Sequence, residues 1–120
     1  MNRPVRWAVA WALLVAGVAA ASSHHWSEYD DTQGMWLSGV IHSTWFSRPH
    51  QLIQLEVQTP EPRSWTVVLA SPSKMKSRGL PVSRLTPGRA VRVYVYPARD
   101  VEDEARALRI NIDGNVTELW

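Results

Sequence analysis

Apolar and polar side chains alternate along three short segments of this chain, and that spacing limits the folds open to it more than any other feature. The segments cover residues 51–59, 63–70 and 90–96. Successive side chains of an extended strand point to opposite faces, so a period of two predicts strands that bury only one face. In the third segment the inward side chains are predicted to be those of Val91, Val93 and Val95, and the outward ones those of Arg92, Tyr94 and Tyr96.

Further strands are predicted from composition and turn residues. Residues 35–46 are rich in β-branched and aromatic side chains, and Gly39 among them predicts a bulge or a sharp bend. Residues 106–112 and 116–119 flank an Asp-Gly pair, which favours a tight hairpin. Between the fourth and fifth strands, residues 97–105 are predicted to form a charged loop with a solvated acidic run at 102–104.

One short helix is predicted over residues 71–79. Ser71 is a good N-cap and Pro72 suits the first helical position. Gly79 can take the left-handed conformation that ends a helix, with Met75 and Leu80 at the two positions that make contact when it does. These independent signals fix both ends of the helix.

This order of elements predicts a mainly β domain. A long bent first strand and a helix between the third and fourth strands suit a small five- to six-stranded barrel of the oligonucleotide/oligosaccharide-binding (OB) type. A β-sandwich is the alternative. The predicted organisation is a signal peptide at residues 1–21, an extended N-terminal arm at 22–34 and the OB-like barrel domain at 35–120.

The first residues have the pattern of a secretory leader. Arg3 and Arg6 precede an uncharged apolar run, residues 7–21, which ends in three alanines. That run is shorter than the roughly 20 residues that a spanning helix requires. We therefore expect cleavage, export to the bacterial periplasm and no stable membrane anchor afterwards. The chain has 0 cysteines, so neither a disulfide nor lipid attachment through a cysteine is available to it.

Charge and motifs exclude several function classes. Arg3 and Arg6 account for the whole excess of 13 basic over 11 acidic residues, so the mature part is neutral and a nucleic-acid partner is not expected. The sequence has no thiol, no Gly-x-Ser-x-Gly elbow and no His-Glu-x-x-His motif. We therefore expect a protein that is not an enzyme.

Several short motifs resemble one known family. They include His24-His25 after the leader, Tyr29-Asp30, Leu37-Ser38-Gly39-Val40 and an aromatic-x-x-Pro-His corner at residues 46–50. In their order and spacing they are similar to a family of small bacterial exported proteins known only as a domain of unknown function. The resemblance implies a periplasmic, β-barrel-like fold and no settled activity. One departure is Arg48, which stands where the family usually has an asparagine before Pro-His.

The leader's end suggests a metal site. If cleavage follows Ala21, the new chain starts Ser22-Ser23-His24, and its amine, two amides and imidazole can form a square-planar site for Cu(II) or Ni(II). His25, His42 and His50 are candidates for additional ligands. The alternative is that these histidines are solvated, or that His50 only bonds a carbonyl at a corner. No cofactor is otherwise predicted.

A second candidate site is a face of the barrel. The outward Arg92, Tyr94 and Tyr96, together with Arg48, are candidate ligand-binding residues that would stack sugars or hold a partner strand. The alternative is that the strand tryptophans Trp36, Trp45 and Trp65 are all core. The sequence thus predicts a non-enzymatic, exported periplasmic module that binds an unidentified ligand or protein. The alternative function is a periplasmic copper- or nickel-binding protein that uses the mature N-terminus with His24 and His25.

Overall fold

The computed structural model describes residues 24–58 and 60–120. The predicted signal peptide and the candidate ligands Ser22 and Ser23 lie outside this part of the chain. Within it, no helix combines the length and apolar character needed to cross a membrane. The strands are β1 (Met35–Ser47), β2 (His50–Val57), β3 (Arg63–Val68), β4 (Ala90–Pro97), β5 (Glu104–Ile112) and β6 (Asn115–Glu118), with helix α1 (Pro72–Ser77) and 3₁₀ helices at Trp26–Glu28 and Val82–Arg84.

Five of the strands close into a barrel. Antiparallel pairing joins β3 to β2, β2 to β1, β1 to β4 and β4 to β5. A parallel pairing of β3 with β5, from Thr66 opposite Glu104 to Val68 opposite Arg106, completes the ring. Strand β6 is an extra strand on the outer edge of β5. The predicted OB-like barrel with a helix between its third and fourth strands is confirmed, and the sandwich alternative is wrong.

Strand β1 is shared between two neighbours, which is why it is so long. Its first half pairs with β4 and its second half with β2, and Val40 takes part in both pairings. The register with β2 shifts between Ile41 and Ser43, so the irregularity predicted at Gly39 falls instead beside His42. Strands β1 and β2 approach closely at Gly39, because a Cβ there would run into the carbonyl group of Glu56.

The barrel interior is filled by the side chains that the alternation singled out. Val91, Val93 and Val95 of β4 are buried, as are Ile53 and Leu55 of β2. These side chains belong to one buried apolar cluster. Its removal from water is the main stabilising contribution to a domain of this size.

Helix α1 covers the barrel between β3 and β4 and confirms the predicted capping. The hydroxyl of Ser71 accepts the backbone N–H of Lys74 at 3.2 Å. At the other end Gly79 has a φ of +90°, and the N–H of Leu80 donates to the Met75 carbonyl at 2.8 Å. The side chains of Met75 and Leu80 are both buried in the core, so the helix closure is also a packing contact.

The predicted charged loop before β5 is shorter than the sequence indicated. Strand β5 begins at Glu104, whose carbonyl accepts the N–H of Ala98 at 2.9 Å. Glu104 is only 7% exposed, so the prediction of a solvated acidic run is wrong at this residue. The physical reason is barrel closure: Glu104 is the first residue of β5 to pair with β3, and this places it between strands.

Residues 24–34 run along the barrel edge. After the 3₁₀ helix, Tyr29 pairs with Ala98 in an isolated bridge, and the N–H of Asp30 donates to the Pro97 carbonyl at 2.8 Å. Tyr29 is 1% exposed. The segment is therefore fixed to the end of β4 through a buried phenol.

Candidate functional site

Four aromatic side chains form a continuous row on the outside of the barrel, which we call the aromatic face: Trp36 of β1, Tyr94 and Tyr96 of β4, and Trp26 of the N-terminal segment. The strand register places Trp36 directly opposite Tyr94. Ring centroids are 5.3 Å apart for Trp36 and Tyr94, 6.3 Å for Tyr94 and Tyr96, and 6.2 Å for Tyr96 and Trp26. These are the separations at which aromatic pairs attract one another.

Arginine side chains lie over three of these four rings. The guanidinium carbon is 4.8 Å from the Trp36 ring for Arg92 and 5.3 Å from the Tyr94 ring for Arg109. Arg106 is closest, at 3.8 Å from the centroid of Trp26. Cations attract the negative face of an aromatic ring, so each of these arginines makes a favourable contact with the ring beneath it.

A groove opens where the aromatic face meets the chain's last residues. It is lined by Trp26, Asp31, Tyr96, Leu108 and Trp120, and it has a volume of about 310 Å³. Trp120 is 64% exposed and Trp26 is 36% exposed, so two large apolar side chains face solvent in one place. Ligand pockets are commonly about 300–1,000 Å³ and mostly apolar with a few polar groups, and the groove meets both criteria.

The predicted ligand-binding residues divide into two groups. Arg92, Tyr94 and Tyr96 lie on the outward face of β4 as predicted, but only Tyr96 lines the groove. Arg48 is exposed in the turn between β1 and β2, at the opposite end of β1 from Trp36. The tryptophans predicted as core also divide: Trp65 is buried, whereas Trp36 and Trp45 are exposed.

A buried polar cluster lies under the N-terminal segment, next to Trp26. Tyr29 donates its hydroxyl hydrogen to Glu104 Oε2 at 2.6 Å, and His24 Nδ1 is 3.1 Å from the same hydroxyl oxygen. Because the phenol's hydrogen is used by Glu104, the arrangement is satisfied when His24 donates from Nδ1. Burial, with the Glu104 hydrogen bond, raises the pKa of Tyr29 far above its ordinary value, so this phenol stays a donor.

His50 and Arg106 complete what we call the His24 cluster: His24, Tyr29, His50, Glu104 and Arg106. The rings of His24 and His50 meet edge to face at 5.7 Å. Arg106 donates from Nη1 to the His24 carbonyl, and its Nη2 is 3.5 Å from His50 Nε2. Burial, helped by the nearby Arg106 charge, lowers the pKa of His50 to about 4, so His50 is neutral at neutral pH.

The candidate metal ligands are not all brought together. His24 and His50 meet in the His24 cluster, but His25 is exposed beside it and His42 is exposed on β1. Ser22 and Ser23 belong to the part of the chain that is not described. Within residues 24–58 and 60–120 no group of three or more histidine, aspartate or glutamate side chains has an arrangement suited to a metal ion.

Sequence reasoning missed Trp26, Asp31, Leu108 and Trp120 in the groove, and Tyr29, Glu104 and Arg106 in the His24 cluster. The secondary structure of the segment that holds each side chain was predicted correctly or nearly so. The residues that each side chain contacts, however, are far from it in the sequence. Arg106 pairs in register with Tyr96, a residue already placed on the outer face, but this register is set by the fold and has no local sequence signal.

The lowered pKa of His50 predicts a specific pH dependence of stability. The imidazole of His50 takes up a proton near pH 6.5 in the unfolded state but only near pH 4 in the folded state. Neutral His50 therefore makes its full contribution to the free energy of unfolding above pH 6.5, and this contribution is lost as the pH falls towards 4. Discounted for partial exposure, the loss is about 1–2 kcal/mol. Urea unfolding at pH 7 and at pH 5 measures this loss. The free energy of unfolding should fall less between these two pH values for His50→Gln than for the wild type.

The matched control for this experiment is His42→Gln, which removes an exposed histidine from β1. Its free energy of unfolding should fall between pH 7 and pH 5 by as much as that of the wild type. Equal declines in the wild type and in both variants would contradict the role given to His50.

Comparison with known proteins identifies the family of this chain. The model of a family of unknown function (DUF6152) matches residues 11–107, which is most of the chain. No curated protein and no solved structure matches. The match confirms the predicted membership of a family of unknown function.

Proposed function

The chain belongs to this family of unknown function (DUF6152), whose model spans residues 11–107, and we propose that it is an exported, periplasmic binding module without enzymatic activity. Its ligand occupies the groove beside the aromatic face. The observation that carries this proposal is the exposure of Trp26 and Trp120 around a concave surface that also contains Tyr96. Exposed aromatic rings that converge on one concavity are a recognised feature of binding sites.

The size of the groove supports a small organic ligand. A cavity of about 150 Å³ already accepts a molecule such as benzene, and the groove offers about 310 Å³. It is open to solvent on one side, so a ligand need not enter the barrel. This suits a molecule of up to about a dozen heavy atoms, or one terminal group of a larger molecule.

The rings of the groove are organised before a ligand arrives. Trp26 is held between the guanidinium of Arg106 and the edge of Tyr96. Trp120 donates its indole N–H to Glu118 at 3.1 Å, and its carbonyl accepts from Arg78 at 3.0 Å. Side chains that are already fixed lose less conformational entropy on binding, which favours a dedicated ligand site.

Burial of the most reactive side chains supports binding over catalysis. His24 is 6% exposed, Tyr29 is 1% exposed and Glu104 is 7% exposed. A general acid or base must come within hydrogen-bond reach of the substrate. Side chains sealed under the N-terminal segment do not have that access, so the His24 cluster fits a role in holding this segment against the barrel.

The copper or nickel alternative has weaker support. Nδ1 is the ring nitrogen nearer the backbone, and so the one suited to a chelate with the preceding amide. In His24 it is bonded to Tyr29. At His50 the Arg106 guanidinium is 3.5 Å from Nε2, where its positive charge opposes a metal cation. Metal binding would have to displace both interactions.

The binding proposal predicts where small probes bind. We expect at least one of cellobiose, indole and choline chloride, each at millimolar concentration, to shift the NMR signals of Trp26, Leu108 and Trp120. Trp120→Ala should weaken that binding about tenfold, because stacking on one aromatic side chain contributes about 1–3 kcal/mol. Titration by ¹H–¹⁵N correlation spectra, including the indole N–H signals, measures both effects.

The control is Trp45→Ala, which removes an exposed tryptophan from β1 that does not line the groove. It should leave probe affinity unchanged. The proposal fails if no probe shifts the groove signals, or if Trp120→Ala binds as tightly as Trp45→Ala.

A further inference from the structure

We infer that the groove selects an organic cation with apolar substituents, such as a quaternary ammonium group. This inference rests on the proposed function and names the ligand class of the same site. It follows from two observations on residues 24–58 and 60–120: the carboxylate of Asp31 has no cationic partner among them, and none of their arginines or lysines lies over the rings of Tyr96 and Trp120.

Asp31 is the unpaired carboxylate. It lines the groove, it is exposed, and it has no hydrogen-bond or ion-pair partner among the described residues. Its neighbour Asp30 differs, because it accepts from the Thr32 hydroxyl at 2.6 Å and lies 3.9 Å from Arg99. The carboxylate that faces the groove is therefore available to a ligand.

The uncovered rings are those of Tyr96 and Trp120. Trp26, Trp36 and Tyr94 each have a guanidinium over the ring. In the described part of the chain no arginine or lysine lies over Tyr96 or Trp120. A bound cation would contact these two rings, just as the protein's own arginines contact the other three.

The positive charges near the groove are already engaged. Arg109 donates to Glu118 at 3.2 Å while it lies over Tyr94, and Arg106 donates to the His24 carbonyl while it lies over Trp26. They are therefore poorly placed to attract an anion into the groove. Asp31 would oppose an anion directly.

Three polar side-chain groups of the lining have no hydrogen-bond partner among the described residues: the Asp31 carboxylate, the Tyr96 hydroxyl and the Trp26 indole N–H. These are few for a sugar. A polyhydroxylated ligand requires several donors and acceptors to replace its hydration. The indole N–H of Trp120 is already used by Glu118, and Leu108 offers no polar side-chain atom. One localised positive charge surrounded by methyl or methylene groups matches one carboxylate among apolar walls.

The test compares choline with 3,3-dimethylbutan-1-ol, its uncharged carbon isostere, on the whole mature chain. We expect choline to bind at least tenfold more tightly, as measured by NMR titration of the groove signals. Asp31→Asn should weaken choline binding about tenfold and leave the binding of the alcohol unchanged. Glu61→Gln, which removes an exposed carboxylate from the β2–β3 connection at a distance from the groove, should change neither.

Failure of this inference can be told apart from failure of the binding proposal. If choline and the alcohol bind equally, or if indole or cellobiose occupies the groove while choline does not, the cation inference is overturned and the groove remains a ligand site. If Asp31→Asn and Glu61→Gln weaken choline equally, the specific role of Asp31 is overturned. If none of the four probes shifts the groove signals, both proposals are overturned.

Discussion

Gly39→Ala should lower the free energy of unfolding by about 3 kcal/mol or more. A Cβ at this position would overlap the carbonyl oxygen of Glu56 and lie 3.0 Å from its carbonyl carbon. These are backbone atoms of the paired strand β2, so relief requires the two strands to separate where β1 passes from β4 to β2. For a domain of this size the midpoint of thermal unfolding should fall by roughly 12 °C or more.

Gly34→Ala is the matched control for this substitution. A Cβ at Gly34 would meet the hydroxyl end of the Tyr94 side chain, which can move aside without breaking strand pairing. We expect a loss below about 1 kcal/mol. Urea unfolding measures the loss in free energy of unfolding for both variants, provided that the m-values are unchanged. Similar losses for the two variants would contradict the close approach described at Gly39.

Tyr29→Phe should destabilise the protein by about 2–3 kcal/mol. The substitution keeps the buried ring and removes one oxygen atom. Glu104 then loses its donor at 2.6 Å, and His24 Nδ1 loses its partner at 3.1 Å. The nearest partner left to the buried Glu104 carboxylate would be His24 Nδ1, at 3.7 Å. A buried carboxylate that loses its short hydrogen bond is more costly than a lost neutral hydrogen bond, so the effect should be large for such a small change.

Tyr96→Phe provides the comparison, because the Tyr96 hydroxyl makes no hydrogen bond among the described residues and this side chain is only half buried. Its cost should be below about 0.5 kcal/mol. Chemical unfolding measures both variants. The cluster would not have the proposed stabilising role if Tyr29→Phe were no more costly than Tyr96→Phe.

The strands and the helix were predictable because their signals are local. The alternation in β2, β3 and β4 depends on neighbouring residues, and so does the capping of α1 by Ser71 and Gly79. The order of these elements was then enough to predict the OB-like barrel. The position of the irregularity in β1 was less certain, since it is set by how β2 and β4 divide the strand.

The candidate site was only partly predictable because its residues are joined by the fold. Tyr96 was placed on the outer face by its spacing, but Asp31 and Trp120, which line the groove with it, are 89 positions apart in the sequence. Glu104 was misjudged because an acidic run is usually solvated, and only its pairing with β3 buries it. His24 was noticed for its closeness to the leader, whereas its burial depends on Tyr29 and Glu104.

The parallel pair that closes the barrel also has a consequence for the order of folding. The antiparallel pairs β1–β2, β2–β3, β4–β5 and β5–β6 each join strands that are adjacent in sequence and can form as local hairpins or near neighbours. Strands β3 and β5 meet only after the intervening helix and β4 have emerged. Until then the edge of β3 has unpaired backbone groups, which are a template for self-association. A nascent chain that stops before residue 104 therefore exposes the edge of β3 at residues 66–68, which pairs with β5 in the finished barrel.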